Sequence, residues 1–194
     1  MMIGLYRHII ENDQITRNCC GVPMVPGREI ANKTVGVIGL GTIGQRTAEL
    51  AQAFGCKIIA WNRTPKEIEG VTIVDKETLF KESDIVTLHI ALNDETRDFV
   101  TAKEIASMKD TAIIINAARG PIINAQNLAD ALKEGKIAGA ALDVYDVEPP
   151  LDKNNPLLSA PNTMLLPHIG FATKEAFELR LCIVVRNVED FCNR

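Results

Sequence analysis

Three glycines and three later polar clusters carry the chemistry this chain could perform. Gly39, Gly41 and Gly44 stand in G-x-G-x-x-G spacing directly after the apolar run Thr34 to Ile38, with Thr42 and Ile43 between the second and third. Glycine at the first position permits a tight turn, at the second lets backbone approach a phosphate without a Cβ, and at the third lets a helix pack closely on a strand. A helix opening there aims its N–H groups and positive dipole end at a pyrophosphate, so a dinucleotide is the expected ligand. Further on, polar residues follow apolar runs in Asn116-Ala117-Ala118-Arg119-Gly120, in the stretch from Asp143 to Glu148, and in Pro167-His168-Ile169-Gly170. In parallel α/β sheets ligands gather beyond the carboxyl ends of the strands, where each cluster could contribute a side chain to one cleft.

The nucleotide is read from the end of the second strand-like run, Lys57 to Trp61. An acidic residue there accepts from the ribose hydroxyls and repels a 2′-phosphate. Asn62 occupies that place, followed by Arg63 and Thr64. With the carboxylate gone, a guanidinium and a hydroxyl can hold a phosphate, so NADP is expected ahead of NAD.

These residues need a scaffold that brings strand ends together. Strand-like runs recur at 34–38, 57–61, 71–74, 85–90, 112–116, 138–143 and 164–166, with helical patterns between them. Continuous apolar stretches such as Ile113-Ile114-Ile115 suit a sheet covered on both faces, which predicts a Rossmann-type, doubly wound parallel α/β fold. The capping-box pattern from Thr101 to Glu104 and candidate N-caps at Asn124 and Thr173 mark helix starts. One helix is predicted over 2–17, an irregular crossing segment over 19–31, and a returning helix over 174–192. The expected division is a leader (1–31), a dinucleotide-binding domain (32–172) and the returning helix (173–194).

A net charge of −4 with no basic stripe argues against nucleic acid as a partner. The five cysteines lack C-x-x-C spacing, so reduced thiols are expected, and no metal site is read. The first ten residues are interrupted by Arg7 and His8 and resemble neither a membrane span nor a signal peptide. A cytoplasmic protein is the expectation.

Taken in order, the glycine turn, N-x-x-R-G, L-D-V-x-x-x-E-P and P-H-I-G resemble the D-isomer-specific 2-hydroxyacid dehydrogenase family. The resemblance runs from about Arg28 to the C-terminal helix and implies hydride transfer between a nicotinamide cofactor and a 2-keto or 2-hydroxy acid. It implies that Arg119 binds the substrate carboxylate and polarises the carbonyl, that His168 is the acid/base, and that Glu148 pairs with that histidine. Asp143 would hydrogen-bond the nicotinamide carboxamide, Ala117 and Ala118 would flank the nicotinamide half, and Ile90 would line the adenosine side. Gly170 belongs to the same cofactor-facing set. His89 reads as a wall residue and His8 as a surface or interface residue.

The same resemblance implies a homodimer, with the N-terminal helix and the crossing segment as candidate interface. It also implies a second, substrate-binding lobe of about 100 residues or more that this stretch does not contain. Weak or absent turnover by the chain alone is the expectation. Dehydrogenase-related corepressors, which keep the same triad, are the alternative from another class. A formate dehydrogenase-like enzyme is disfavoured because it usually carries glutamine where Glu148 stands.

Overall fold

The computed structural model describes residues 1–18, 24–64, 66–148 and 151–193. The predicted first helix is two: α1 (Met2–Tyr6) and α2 (Ile9–Arg17). His8 between them adopts φ 47°, in the left-handed region, which ends the first helix and redirects the chain. Tyr6 on α1 is buried, and its hydroxyl reaches the Asp84 carbonyl at 3.4 Å, whereas α2 buries no residue. Burial is what separates them. Cys19 and Cys20, at the start of the crossing segment, lie outside the described residues.

The chain then alternates strand and helix: β1 (Thr34–Ile38), α3 (Thr42–Ala53), β2 (Lys57–Trp61), β3 (Val71–Ile73), α4 (Lys76–Glu82) and β4 (Ile85–Leu88). It continues through α5 (Ala102–Ser107), β5 (Ile113–Asn116), α6 (Ala125–Lys133), β6 (Gly139–Leu142), β7 (Thr163–Leu165) and α7 (Lys174–Cys192). The seven strands form one parallel sheet in the order β3-β2-β1-β4-β5-β6-β7. The order reverses between β1 and β4, so a crevice must open where these two strands end.

Alternation along the strands divides the core between two faces. Val35, Val37, Ile113 and Ile115 pack with Ala48 and Ala51 of α3 and with Tyr6, while Ile38, Val86 and Ile114 pack with Phe80, Ile105 and Leu128 from α4, α5 and α6. Each such side chain contributes about 1.5–3 kcal/mol through burial. That explains runs without polar alternation in β4, β5 and β6, all four-residue strands buried throughout.

The expected caps form. Thr101 and Glu104 make the reciprocal capping box of α5, and Asn124 and Thr173 accept from Asn127 and Ala176 N–H groups at the starts of α6 and α7. Strands end slightly earlier than expected at 88 and 142, where the backbone leaves the sheet to form the crevice walls. Among the described residues no helix is long and apolar enough to cross a membrane.

Candidate active site

The cradle of the site begins where β1 ends. Gly39 adopts φ +96°, and a Cβ there would stand 2.7 Å from the His89 carbonyl oxygen. Gly44, in the first turn of α3, lies so close to that turn that its Cβ would meet the Gly39 carbonyl oxygen at 1.9 Å. Both contacts are with backbone, which cannot yield cheaply. Gly41, by contrast, faces open space, and no side chain caps the helix that follows it. The first-turn N–H groups of Thr42, Ile43 and Gly44 therefore point their partial positive charge at a volume where a pyrophosphate fits.

The end of β2 braces this cradle. Asn62 accepts a hydrogen bond from the Leu40 N–H at 3.0 Å and donates to the Thr64 carbonyl at 2.6 Å. An aspartate could make the first contact but not the second. Arg63, exposed on the same turn, pairs with Glu95 at 3.3 Å, so its guanidinium bridges to the 91–97 loop on the other side of the crevice.

The cleft of about 720 Å³ beyond β1 and β4 brings half of the expected site residues together: Ile43, Ile90, Ala117, Ala118, Arg119, Asp143, His168 and Gly170. His89 and Arg180 also line it. His89 packs behind the glycine turn, its ring nitrogen 3.0 Å from the Thr87 hydroxyl, and burial pushes its pKa down to about 4. It is neutral at neutral pH, in keeping with a wall residue.

Arg119 is positioned by a residue that ends β5. Asn116, buried at the strand end, accepts from the Ala118 N–H at 3.0 Å and donates to the Arg119 carbonyl at 2.8 Å, closing the turn that presents the guanidinium. Arg119 itself donates to the Ala118 carbonyl and is exposed toward the cleft.

His168 has φ 56°, an uncommon conformation for a residue with a Cβ and one that costs about 1–2 kcal/mol. Asp143 holds it there. The two oxygens of this buried carboxylate accept from the N–H groups of Ile169 at 2.8 Å and Gly170 at 2.7 Å. Hydrogen bonds to a charged group contribute about 1.5–3 kcal/mol each, so the pair outweighs the strain. Glu148 places one oxygen 2.5 Å from His168 Nδ1 and accepts with the other from the Tyr145 N–H. The Tyr145 hydroxyl donates to the Leu166 carbonyl at 3.0 Å, tying the Glu148 loop to the segment that carries the histidine. The ring of Phe171 meets the His168 ring edge-on at 5.6 Å.

Sequence reasoning had not singled out Asn116 as a brace, nor Glu95 or Arg180 at all. The signal for Asn116 was present, since one polar residue closes the wholly apolar run Ile113-Ile114-Ile115. Glu95 and Arg180 carry no local signal, because only the fold brings them to the crevice.

Comparison with known proteins follows the same lines. Residues 1–170 match the family described as D-isomer specific 2-hydroxyacid dehydrogenase, NAD binding domain. A hydroxypyruvate reductase of Thermotoga maritima is 47% identical over 152 residues, which are 77% of this chain and 50% of that protein. Among solved structures, an acyclic imino acid reductase in complex with NADPH and D-Arg superposes with a TM-score of 0.89 at 34% identity, covering 100% of this chain and 62% of that one. A D-lactate dehydrogenase with NAD+ from Lactobacillus jensenii gives a TM-score of 0.86 at 30% identity over 99% of this chain and 63% of that one. The chain thus spans about half the length of the curated relative and under two thirds of the structural neighbours.

Proposed function

From the premise that the chain belongs to the D-isomer-specific 2-hydroxyacid dehydrogenase family as its NAD-binding domain, we propose that it is the cofactor-binding half of an oxidoreductase acting on a small 2-keto or 2-hydroxy acid. The observation that carries this reading is that Ile43, on an uncapped glycine-turn helix, and His168, which Glu148 contacts at 2.5 Å, line one cleft. A bound nicotinamide would supply or accept the hydride.

The remaining steps belong to side chains of this chain. Arg119 grips the substrate carboxylate and, through the same planar fork, polarises the carbonyl oxygen. Glu148 engages Nδ1 of His168, which fixes the tautomer and leaves Nε2 to give a proton to the carbonyl oxygen during reduction and to remove it during oxidation. Asp143 keeps the histidine turn in place, and the second lone pair on each of its oxygens remains available to a carboxamide. Ala117, Ala118 and Ile90 give the walls small or apolar surface against which a ring can lie.

NADP is the cofactor we favour over NAD. Supporting this, Arg63 and Thr64 follow Asn62 just after β2, where the residue that faces the ribose hydroxyls is expected, and Asn62 offers no charge against a 2′-phosphate. Residues 1–31 would serve as leader, 32–172 as the nucleotide-binding unit and 173–194 as the returning helix of a cytoplasmic homodimer. Ile3, Ile9 and Ile10, exposed on α1 and α2, are its candidate contacts. Sedimentation at several concentrations decides the assembly: a concentration-independent monomer contradicts it.

The activity itself is tested by assaying the purified chain with NADPH across a panel of 2-keto acids. A closed cleft positions substrate and excludes water, whereas the apolar side chains of α7, the helix that brings Arg180 to this cleft, are exposed. Saturable cofactor binding with turnover far below that of ordinary enzymes is the expected result. Turnover of about 10 s⁻¹, the ordinary enzyme range, contradicts the half-site reading. Turnover that survives Arg119→Gln or His168→Asn unchanged contradicts the roles assigned to them.

A further inference from the structure

We infer that Arg180 forms a second anion subsite in the cleft and that the substrate is a 2-keto or 2-hydroxy acid carrying another negative group near C3. The inference rests on the dehydrogenase reading above. Arg180 projects from α7 into the same cleft as Arg119 and His168. Its guanidinium carbon lies 5.1 Å from the centre of the Phe171 ring, within cation–π range, and that ring meets His168 at 5.6 Å. Phe171 also meets Phe177 edge-on, at 5.9 Å. The arginine is therefore seated beside the acid/base by an aromatic contact that leaves its N–H donors free for a ligand.

The pairing of charges in the cleft points the same way. Among the described residues Arg180 has no carboxylate partner, and Arg119 bonds only its neighbour's carbonyl. The acids within reach pair with other groups instead: Asp143 with the Ile169 and Gly170 N–H groups, Glu148 with His168 and the Tyr145 N–H. Two guanidinium groups without an ion-pair partner thus face one cleft. A monocarboxylate answers one of them. A second carboxylate or a phosphate on the substrate answers the other, since either oxyanion matches the planar fork.

The test is ligand binding to the chain saturated with NADPH, read by calorimetry or NMR titration, so that no turnover is needed. Glycolate serves as the mono-anion, tartronate as the dicarboxylate and 3-phosphoglycerate as the phosphorylated acid. At least one dianion should bind about two- to fivefold more tightly than glycolate, the gain for an exposed charge contact. Arg180→Leu should abolish that preference and Arg180→Lys should restore part of it, both without changing NADPH affinity. The preferred dianion tells whether the second group is carboxylate or phosphate. An unchanged preference in Arg180→Leu overturns the inference, as does failure of both dianions to bind saturably. A parallel loss of NADPH affinity overturns it too, because it assigns Arg180 to the cofactor's pyrophosphate instead. Were Arg119→Gln to leave all three ligands unaffected while Arg180→Leu removed the preference, the subsite would stand and the role given to Arg119 would fall.

Discussion

Gly39 to Gly44 hold their part of the cleft with backbone, whereas Glu148 and His168 hold theirs with side chains on connections after β6 and β7. The glycine turn is pinned between His89 and its own helix, with prospective Cβ positions 1.9 and 2.7 Å from carbonyl oxygens. The histidine wall depends on a few polar contacts: two to Asp143, two to Glu148 and one from Tyr145. Beyond it, α7 carries apolar residues such as Leu179, Leu181 and Phe191 at 64%, 65% and 79% exposure. A phosphate cradle made of backbone is complete as soon as the sheet folds. The proton-transfer wall is assembled residue by residue and faces an open side.

The strongest way to break this contrast is to attack the cradle. Gly44→Val would drive side-chain atoms into the Gly39 carbonyl, a strain of about 1–3 kcal/mol that must come out of helix placement or cofactor affinity. A ten- to hundredfold loss in NADPH affinity, about 1.4 kcal/mol per tenfold, is expected in a chain whose circular dichroism remains native. Retained affinity would mean that α3 does not bind the phosphates.

On the wall, Asp143→Ala leaves the Ile169 and Gly170 N–H groups without their acceptor, at about 1–3 kcal/mol each. The expected outcome is a lowered melting temperature together with loss of the His168–Glu148 contact, read from the chemical shifts of the His168 ring. NADPH binding should fall much less than in Gly44→Val. Unchanged His168 ring resonances would remove Asp143 from its bracing role.

A control lies away from the cleft, at the start of α5. Burial would raise the Glu104 carboxyl, but hydrogen bonds from Thr101 and Lys76 hold it at about 2, below its ordinary 4.5. Because the folded value is the lower one, this stabilisation is present above pH 4.5 and is lost as pH falls toward 2. It is on the order of 2 kcal/mol, and Glu104→Gln should flatten that part of the acid unfolding curve. Unchanged acid sensitivity would contradict it.

The smallest expected effect separates the two nucleotides. Glu95 pairs with Arg63 at 3.3 Å, and both side chains are 75% exposed. Removing the carboxylate by Glu95→Gln should favour NADPH over NADH by about two- to fivefold, the scale of an exposed ion pair. An unchanged ratio would mean that Arg63 does not meet the 2′-phosphate.

How legible the molecule was in its sequence followed the same division. The sheet could be read because its strands are buried on both faces and therefore lack polar interruption, and the caps could be read because Thr101, Asn124 and Thr173 act on residues two or three positions away. The glycine turn was legible for the same local reason. The break at His8 was not, since nothing in Arg7-His8 forbids a helix; the separation follows from Tyr6 being buried while α2 is left outside. Arg119, Glu148 and His168 were found through resemblance, not spacing. Asn116 acts locally, two and three residues away, and its polar break in an apolar run was visible, whereas Asp143 could be named but not assigned to its partners, because its contact with Gly170 spans 27 residues and exists only once β6 and β7 are paired.

One titration tests the central claim most directly: the purified chain against NADPH and NADH, followed by calorimetry. The account predicts saturable one-to-one binding of NADPH, tighter than that of NADH, with the backbone cradle sufficient by itself. No saturable binding of either nucleotide would contradict the cradle, and NADH bound about tenfold more tightly, a difference of 1.4 kcal/mol, would contradict the part assigned to Asn62, Arg63 and Thr64.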